Sequence, residues 1–159
     1  MDSIRRISTT PKVETVKEEV KKDLYESLSI PMMSSHMTPE YIVGKLFDLH
    51  NTAHFYHFQT DSHTIHKALD HLYERLVHLK DEIPEFILGT QVPRRFEYIT
   101  LSDVKPYNET SLLKFLDEGC AFGKSLCEYA DNKGWEALED MAGHICKEFN
   151  HTRLLISYK

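Results

Sequence analysis

The chain has 159 residues, a formal net charge of −6, and 41% hydrophobic and 28% charged residues. This length suffices for one domain with a sizeable core, and the composition is ordinary for a globular protein. No apolar run approaches the roughly 18 residues of a membrane span, and the N-terminus lacks the apolar region of a signal peptide. We therefore expect a cytoplasmic protein without a membrane partner. The negative charge also argues against a dominant nucleic-acid surface.

Residues 1–36 are predicted to form a tail followed by a short amphipathic helix over about residues 11–28, starting at Thr10-Pro11. Its charged face mixes lysines with acids, which is typical of a solvated surface. Local positive charge at Arg5, Arg6 and Lys12 makes these residues the candidates for DNA contact. Because duplex affinity comes mostly from neutralising phosphates, DNA binding is predicted to be weak or absent.

Residues 37–159 are predicted to form four helices. The first starts at Thr38-Pro39 and ends near Phe58, and the second runs from about Ser62 to Leu88, with Gly89 as its C-terminal cap. The third spans about residues 109–131, and the fourth follows the turn cluster Asp131–Gly134 and ends near Ile156. Gly119 and Gly123 indicate close helix packing, and the three cysteines, which form no CxxC, are expected to be reduced thiols.

The connection from about residue 90 to residue 108 is unusually long for a helical bundle. About nineteen residues suit the single crossover of an up-down-down-up four-helix bundle. Asp103 is a candidate cap for a single helical turn inside this connection. The predicted fold class is therefore all-α, a four-helix bundle with one long crossover, preceded by the short N-terminal helix.

Two polar pairs lie on the second helix. His66 and Asp70 are four residues apart, as are Asp81 and Glu85, so each pair shares a helix face. Imidazole and carboxylate suit a divalent first-row metal, but 15 residues separate the pairs, roughly 22 Å along a helix. The pairs are therefore unrelated, or a second, antiparallel copy of the chain brings them together. A solvated face with local ion pairs is the plain alternative.

The pattern H-x3-D-x2-Y-x7-D-E-I-x-E in this helix resembles the signature of the miniferritins, the DNA-binding proteins of starved cells (Dps). The preceding AHFYHF resembles the histidine-bearing end of that family's first bundle helix. The resemblance implies a ferritin-like bundle and a site shared between two chains. One chain would supply His57, His66 and Asp70, and its twofold mate would supply Asp81 and Glu85.

The resemblance also implies a function. The chain would bind Fe(II) at twofold interfaces, oxidise it, with peroxide as the usual oxidant, and store ferric mineral in a twelve-subunit shell that counters oxidative stress. Zinc or manganese could substitute for iron in the site. Two features depart from the family pattern: the turn between His57 and His66 is about three residues short, and Pro84 lies between Asp81 and Glu85, where it removes a helical hydrogen bond.

Acidic residues cluster around the start of the fourth helix: Asp131, Glu136, Glu139 and Asp140. Acids are favoured there by the helix dipole, and in miniferritins such acids line the pores that admit iron. Di-iron bundles use a Glu-x-x-His motif on each of two helices, whereas here the motif occurs once, at Glu148–His151. Phe149 takes the inward direction in that motif, so a di-iron site inside the bundle is not expected.

A second class of function stays open. The chain could be a non-catalytic four-helix scaffold or interaction protein that keeps the fold without efficient iron oxidation. The short turn and Pro84 favour this alternative. A faint resemblance to the divergent miniferritin-like proteins of large tailed phages fits it too, and would make the source viral rather than a bacterial cytoplasm or nucleoid.

Overall fold

The computed structural model describes residues 37–91 and 94–158. They form four α-helices: α1 (Pro39–Gln59), α2 (His63–Thr90), α3 (Glu109–Asp131) and α4 (Glu136–Ser157). The described residues contain no strand, so the all-α prediction is confirmed for them. The predicted N-terminal helix and the candidate DNA contacts Arg5, Arg6 and Lys12 lie outside the described residues. None of the described helices is long and apolar enough to cross a membrane.

Local capping explains where α1 and α3 begin. The Thr38 hydroxyl accepts a hydrogen bond from the Tyr41 backbone N–H at 3.2 Å, and Pro39 follows at the first helical position. At α3, the side chains of Asn108 and Ser111 each bond the other residue's backbone N–H at 2.8 Å. The predicted start of α1 and both predicted ends of α3 are confirmed.

The predicted cap at Gly89 is wrong. Helix α2 continues through Gly89 to Thr90 and ends at Gln91, whose backbone is extended. The only described residue with a positive φ is Gly134, in the turn before α4, so Gly89 does not adopt the left-handed conformation of a glycine cap. The Thr90 hydroxyl donates instead to the Ile87 carbonyl at 2.8 Å and satisfies one of the free carbonyls of the last turn.

Aromatic contacts define the helix directions. Tyr56, near the end of α1, packs on Phe115 near the start of α3, and Tyr41, at the other end of α1, packs on Phe122. Helices α1 and α3 are therefore antiparallel.

Helices α2 and α4 are antiparallel as well, because the start of α2 meets the end of α4. His71 lies 3.5 Å from Glu148, and Phe86, near the end of α2, packs on Trp135 just before α4. With the short turns of the α1–α2 and α3–α4 hairpins, the order is up, down, down, up. The connection between α2 and α3 therefore spans the length of the bundle.

The described part of this connection lies along α1. The Asp48 carboxylate accepts from the Ser102 N–H, and the Gln59 side-chain oxygen accepts from the Tyr107 N–H, both at 2.8 Å. Gly44 permits the close approach, since a Cβ there would lie 2.5 Å from the Thr100 carbonyl oxygen. Residues 94–108 contain no helical turn, so the suggested turn at Asp103 is absent.

The core lies between the four helices. Its buried apolar residues come from all four helices. The largest fully buried ones are Ile42, Leu46, Leu49, Ile65, Leu69, Leu72, Leu76, Ile83, Ile87, Leu112, Leu116 and Phe149. Trp135, just before the start of α4, packs on Phe86 and Tyr129.

Close packing at Gly119 and Gly123 is confirmed at the interface of α3 and α4. A Cβ at Gly119 would overlap the Phe149 ring, and a Cβ at Gly123 would lie 2.6 Å from the Cys146 sulfur. All three cysteines are free and half-buried. Burial raises the pKa of each thiol above its usual value, which disfavours the reactive thiolate.

Replacing Gly119 by Ala is expected to destabilise the fold. Phe149 is fully buried and cannot move aside without disturbing the core. Overpacking of this kind costs about 1–3 kcal/mol, enough to outweigh the roughly 1 kcal/mol that Ala gains in helix propensity. Urea unfolding measures the difference. The matched control is Gly143→Ala in α4, where the added Cβ meets nothing within 4 Å; this variant should be as stable as the wild type or more so.

Candidate metal centre

The hairpin between α1 and α2 brings His57 and His66 together. Helix α1 ends at Gln59, and α2 begins at His63 after Ser62, whose hydroxyl caps the Ile65 N–H at 3.4 Å. This short turn places the two imidazole rings in a stack, with centroids 3.8 Å apart and planes inclined by 29°. His57 is buried and His66 is half-buried.

Reciprocal hydrogen bonds hold this stack. His57 Nδ1 lies 3.1 Å from the His66 carbonyl oxygen, and His66 Nδ1 lies 3.0 Å from the His57 carbonyl oxygen. A carbonyl only accepts hydrogen bonds, so each Nδ1 must carry the donated proton. In a neutral ring the Nε2 atom then keeps its lone pair. This is the arrangement found in metal-binding histidines, whose second nitrogen donates to a backbone carbonyl or carboxylate.

Asp70 lies one turn further along α2. Its carboxylate accepts hydrogen bonds from the Tyr73 hydroxyl at 2.9 Å and from the Lys67 ammonium at 3.2 Å. The bond from Tyr73, and then the one from Lys67, lower the pKa of Asp70 below its usual value. Asp70 is therefore an anionic oxygen donor at neutral pH, although both of its oxygens already have partners.

Tyr73 also belongs to this region, although in the sequence it stands out only as the tyrosine of the pattern H-x3-D-x2-Y. Its ring lies 4.4 Å from the His54 ring, 5.3 Å from the His57 ring and 6.3 Å from the His50 ring, measured between centroids. These three histidines are spaced by four and three residues and share one face of α1, but nothing in the sequence showed that a tyrosine of α2 covers that face. Burial lowers the pKa of His50, which favours the neutral ring.

Asp81 and Glu85 do not join this group within one chain. Both are exposed, and α2 runs on through Pro84, so the helical separation of roughly 22 Å between the two pairs stands. No set of three or more His, Cys, Asp or Glu side chains within residues 37–91 and 94–158 is arranged to hold a metal ion. His57, His66 and Asp70 are thus neighbours, but they are not a complete ligand set.

The acids proposed to line an iron-entry pore lie together at one end of the bundle. Asp131, Glu136, Glu139 and Asp140 are all exposed around the turn between α3 and α4. Glu136 and Glu139 occupy the first turn of α4, where the helix dipole favours acids. This position is compatible with a solvated helix start as well as with a pore.

The burial of the Glu148 side chain against α2 was not predicted from the sequence. Phe149 does face the core, but the Glu148 side chain is only 12% exposed and lies against α2, with its Oε2 3.5 Å from His71 Nε2. The single Glu-x-x-His motif therefore faces a neighbouring helix rather than solvent alone.

No protein-family model matches the chain, and comparisons with curated proteins and with solved structures likewise find no match. The resemblance to miniferritins therefore rests on the residue pattern around His57–Glu85 alone.

Replacing Tyr73 by Phe is expected to raise the pKa of Asp70 towards its ordinary value, because the largest of the interactions that lower it is lost. The Asp70 contribution to stability is present above its unfolded pKa and disappears as the pH falls through the folded pKa. In Tyr73→Phe this contribution should be smaller, and its loss on acidification should be complete at a higher pH. NMR titration of the carboxyl carbon measures the pKa.

The comparison variant for this titration is Lys67→Met, which removes the second hydrogen bond together with a positive charge and should also raise the pKa of Asp70. An unchanged Asp70 pKa in Tyr73→Phe would show that the hydroxyl does not bond this carboxylate in solution.

Proposed function

We propose that this protein is a Dps-like miniferritin that binds Fe(II) between two copies of the chain and oxidises it. The observation that carries the proposal is the pair of reciprocal bonds between His57 and His66. In the neutral form of each ring, these bonds keep the proton on Nδ1 and leave Nε2 as the atom that can bind a metal, next to the anionic Asp70. Such preorganisation is what a metal site requires of its ligands.

The other half of the site comes from a second copy. The donors His57, His66 and Asp70 are incomplete alone, and the second pair on α2, Asp81 and Glu85, is exposed and too far away in the same chain. A twofold axis that sets two α2 helices antiparallel would carry Asp81 and Glu85 of one copy to His66 and Asp70 of the other. Twofold interfaces are the commonest in homo-oligomers.

In this proposal iron is the substrate, and peroxide is the oxidant. Each of two Fe(II) ions gives up one electron, and one peroxide accepts both, takes two protons and leaves as two waters. The neutral imidazoles hold the ferrous ion, and the carboxylates of Asp70, Asp81 and Glu85 favour the more highly charged ferric product. The acids Asp131, Glu136, Glu139 and Asp140 would line the path by which iron enters the shell.

A non-catalytic scaffold is the second candidate function. Its support is that both Asp70 oxygens are occupied by Tyr73 and Lys67, so iron would have to displace at least one of these bonds. Pro84 gives it less support than the sequence suggested, because α2 is continuous through that residue.

The assembly is expected to be a closed shell of twelve copies, about 220 kDa for a chain of 18.6 kDa. Light scattering coupled to size-exclusion chromatography measures this mass. A stable monomer that still oxidises iron rapidly would contradict both the shell and the shared site. With a net charge of −6 per chain, the shell should bind duplex DNA weakly and only at low salt.

Complementation tests whether the site is shared. Shells of His66→Ala alone, or of Glu85→Ala alone, should lose most of the rapid iron oxidation followed by absorbance after a peroxide pulse. When the two variants are refolded together, one interface site of each mixed pair carries both substitutions and its twin carries neither. Up to about half of the activity should then return within mixed pairs.

Exposed charged residues outside the proposed site supply the control. Glu74→Ala, also on α2, should leave iron oxidation unchanged, alone or in mixed shells. If verified mixed shells of His66→Ala and Glu85→Ala recover nothing, the two pairs on α2 do not form one site.

A further inference from the structure

A second group of metal-binding side chains lies between α2 and α4, apart from the hairpin that holds His57 and His66. It consists of His71 on α2 with Glu148 and His151 on α4. Glu148 and His151 are three residues apart, so they lie on the same face of α4. That face meets α2, since His71 contacts both of them.

Distances in this group match those around a single metal ion. Zinc bonds to nitrogen and oxygen of about 2.1 Å place two tetrahedral ligand atoms about 3.4 Å apart, and His71 Nε2 lies 3.5 Å from Glu148 Oε2. Two imidazoles on one tetrahedral ion have centroids about 5 Å apart, and the rings of His71 and His151 are 5.6 Å apart.

The surroundings of Glu148 leave its carboxylate available. Its side chain is only 12% exposed, yet it makes no hydrogen bond to another described side chain, and the 3.5 Å separation from His71 exceeds a normal hydrogen bond. A divalent ion coordinated by Oε2 and the Nε2 of His71 would place a positive charge directly against this carboxylate.

We propose that His71, Glu148 and His151 bind one Zn²⁺ ion, with a water completing the coordination. The described residues hold no ready-made set of three ligands, so binding requires a side-chain rearrangement. His151 is exposed, so its ring can rotate to complete the site on binding. Two imidazoles, one carboxylate and a water form a ligand set that zinc uses in proteins.

Binding at this position would join α2 to α4. These helices come from different hairpins and are otherwise held by packing, so the ion would stabilise the folded bundle, increasingly so as the free ion concentration rises above its Kd. The site is separate from the proposed iron site, and it takes one ion rather than two, because the chain has a single Glu-x-x-His motif.

Titration of the metal-free full-length protein with Co²⁺, read by its visible absorption, and competition with Zn²⁺ test the proposal. Beside any ion held at the proposed iron site, the wild type should bind one further ion with the intense spectrum of a tetrahedral site. Glu148→Gln and His151→Ala should each weaken Co²⁺ binding by more than about tenfold. Loss of a residue that only hydrogen-bonds to a metal ligand already lowers metal affinity about 10–100-fold, and loss of a ligand should cost at least as much. His144→Ala, an exposed histidine of the same helix, should bind as the wild type does.

His151→Ala alters an exposed side chain, so it keeps the test valid if Glu148→Gln impairs folding. NMR of the ring nitrogens should also show zinc-dependent shifts for His71 and His151. Iron oxidation by His151→Ala should equal that of the wild type, which separates this proposal from the iron site. Equal Co²⁺ affinity in wild type, Glu148→Gln and His151→Ala, or no tetrahedral spectrum in the wild type, would overturn it.

Discussion

The rotation of α2 about its own axis is the constraint on which the rest of the described structure depends. Eight of its residues are buried, at the spacing of one helical face, from Ile65 to Ile87. Exposing one such side chain costs about 1.5–3 kcal/mol, so even a small turn of the helix would be opposed by several of them together. With the apolar face fixed, every polar residue of α2 has a set direction: His66 and Asp70 lie beside α1, His71 meets α4, and Asp81 and Glu85 meet solvent.

The hairpin between α1 and α2 adds a second, local level of order. Two side-chain bonds to backbone carbonyls span the turn, from His57 to His66 and back. The same bonds that tie the helix ends together decide which nitrogen of each ring is free. The geometry of the turn and the metal-binding chemistry of the two rings therefore depend on the same atoms. A change that loosens the turn would also remove the bonds that keep the proton of each neutral ring on Nδ1.

Elements decided by local patterns could be predicted from the sequence. The cap at Thr38 and the inward residues of α1 follow from hydrogen-bonding chemistry and period alone. Close packing at Gly119 was also predictable, because a glycine inside an apolar helix face needs a packing reason. Gly89 was misjudged because glycine permits a left-handed cap without requiring one, and the bond from Thr90 to Ile87 favours two more helical residues.

The candidate sites were less predictable than the helices. Reciprocal bonds between His57 and His66 depend on the geometry of the turn, and the position of Tyr73 over three histidines depends on how α1 and α2 pack. Glu148 was judged from its neighbour Phe149, although a buried helix face is more than about 100° wide and also includes positions at its edge. Only the placement of α2 against that edge shows that Glu148 is covered.

The path of the connection between α2 and α3 has a consequence for how the chain folds. Each hairpin closes over a short loop, residues 60–62 in one and 132–135 in the other, so both can form from contacts close in sequence. Docking one hairpin on the other is the non-local step, and residues 91–108 act there as a tether that keeps the two halves at high effective concentration. Loop-closure entropy grows slowly with length, by about 0.6 kcal/mol for each doubling. The bundle can therefore accept a longer tether, provided that the residues lying along α1 at Gly44, Asp48 and Gln59 are kept.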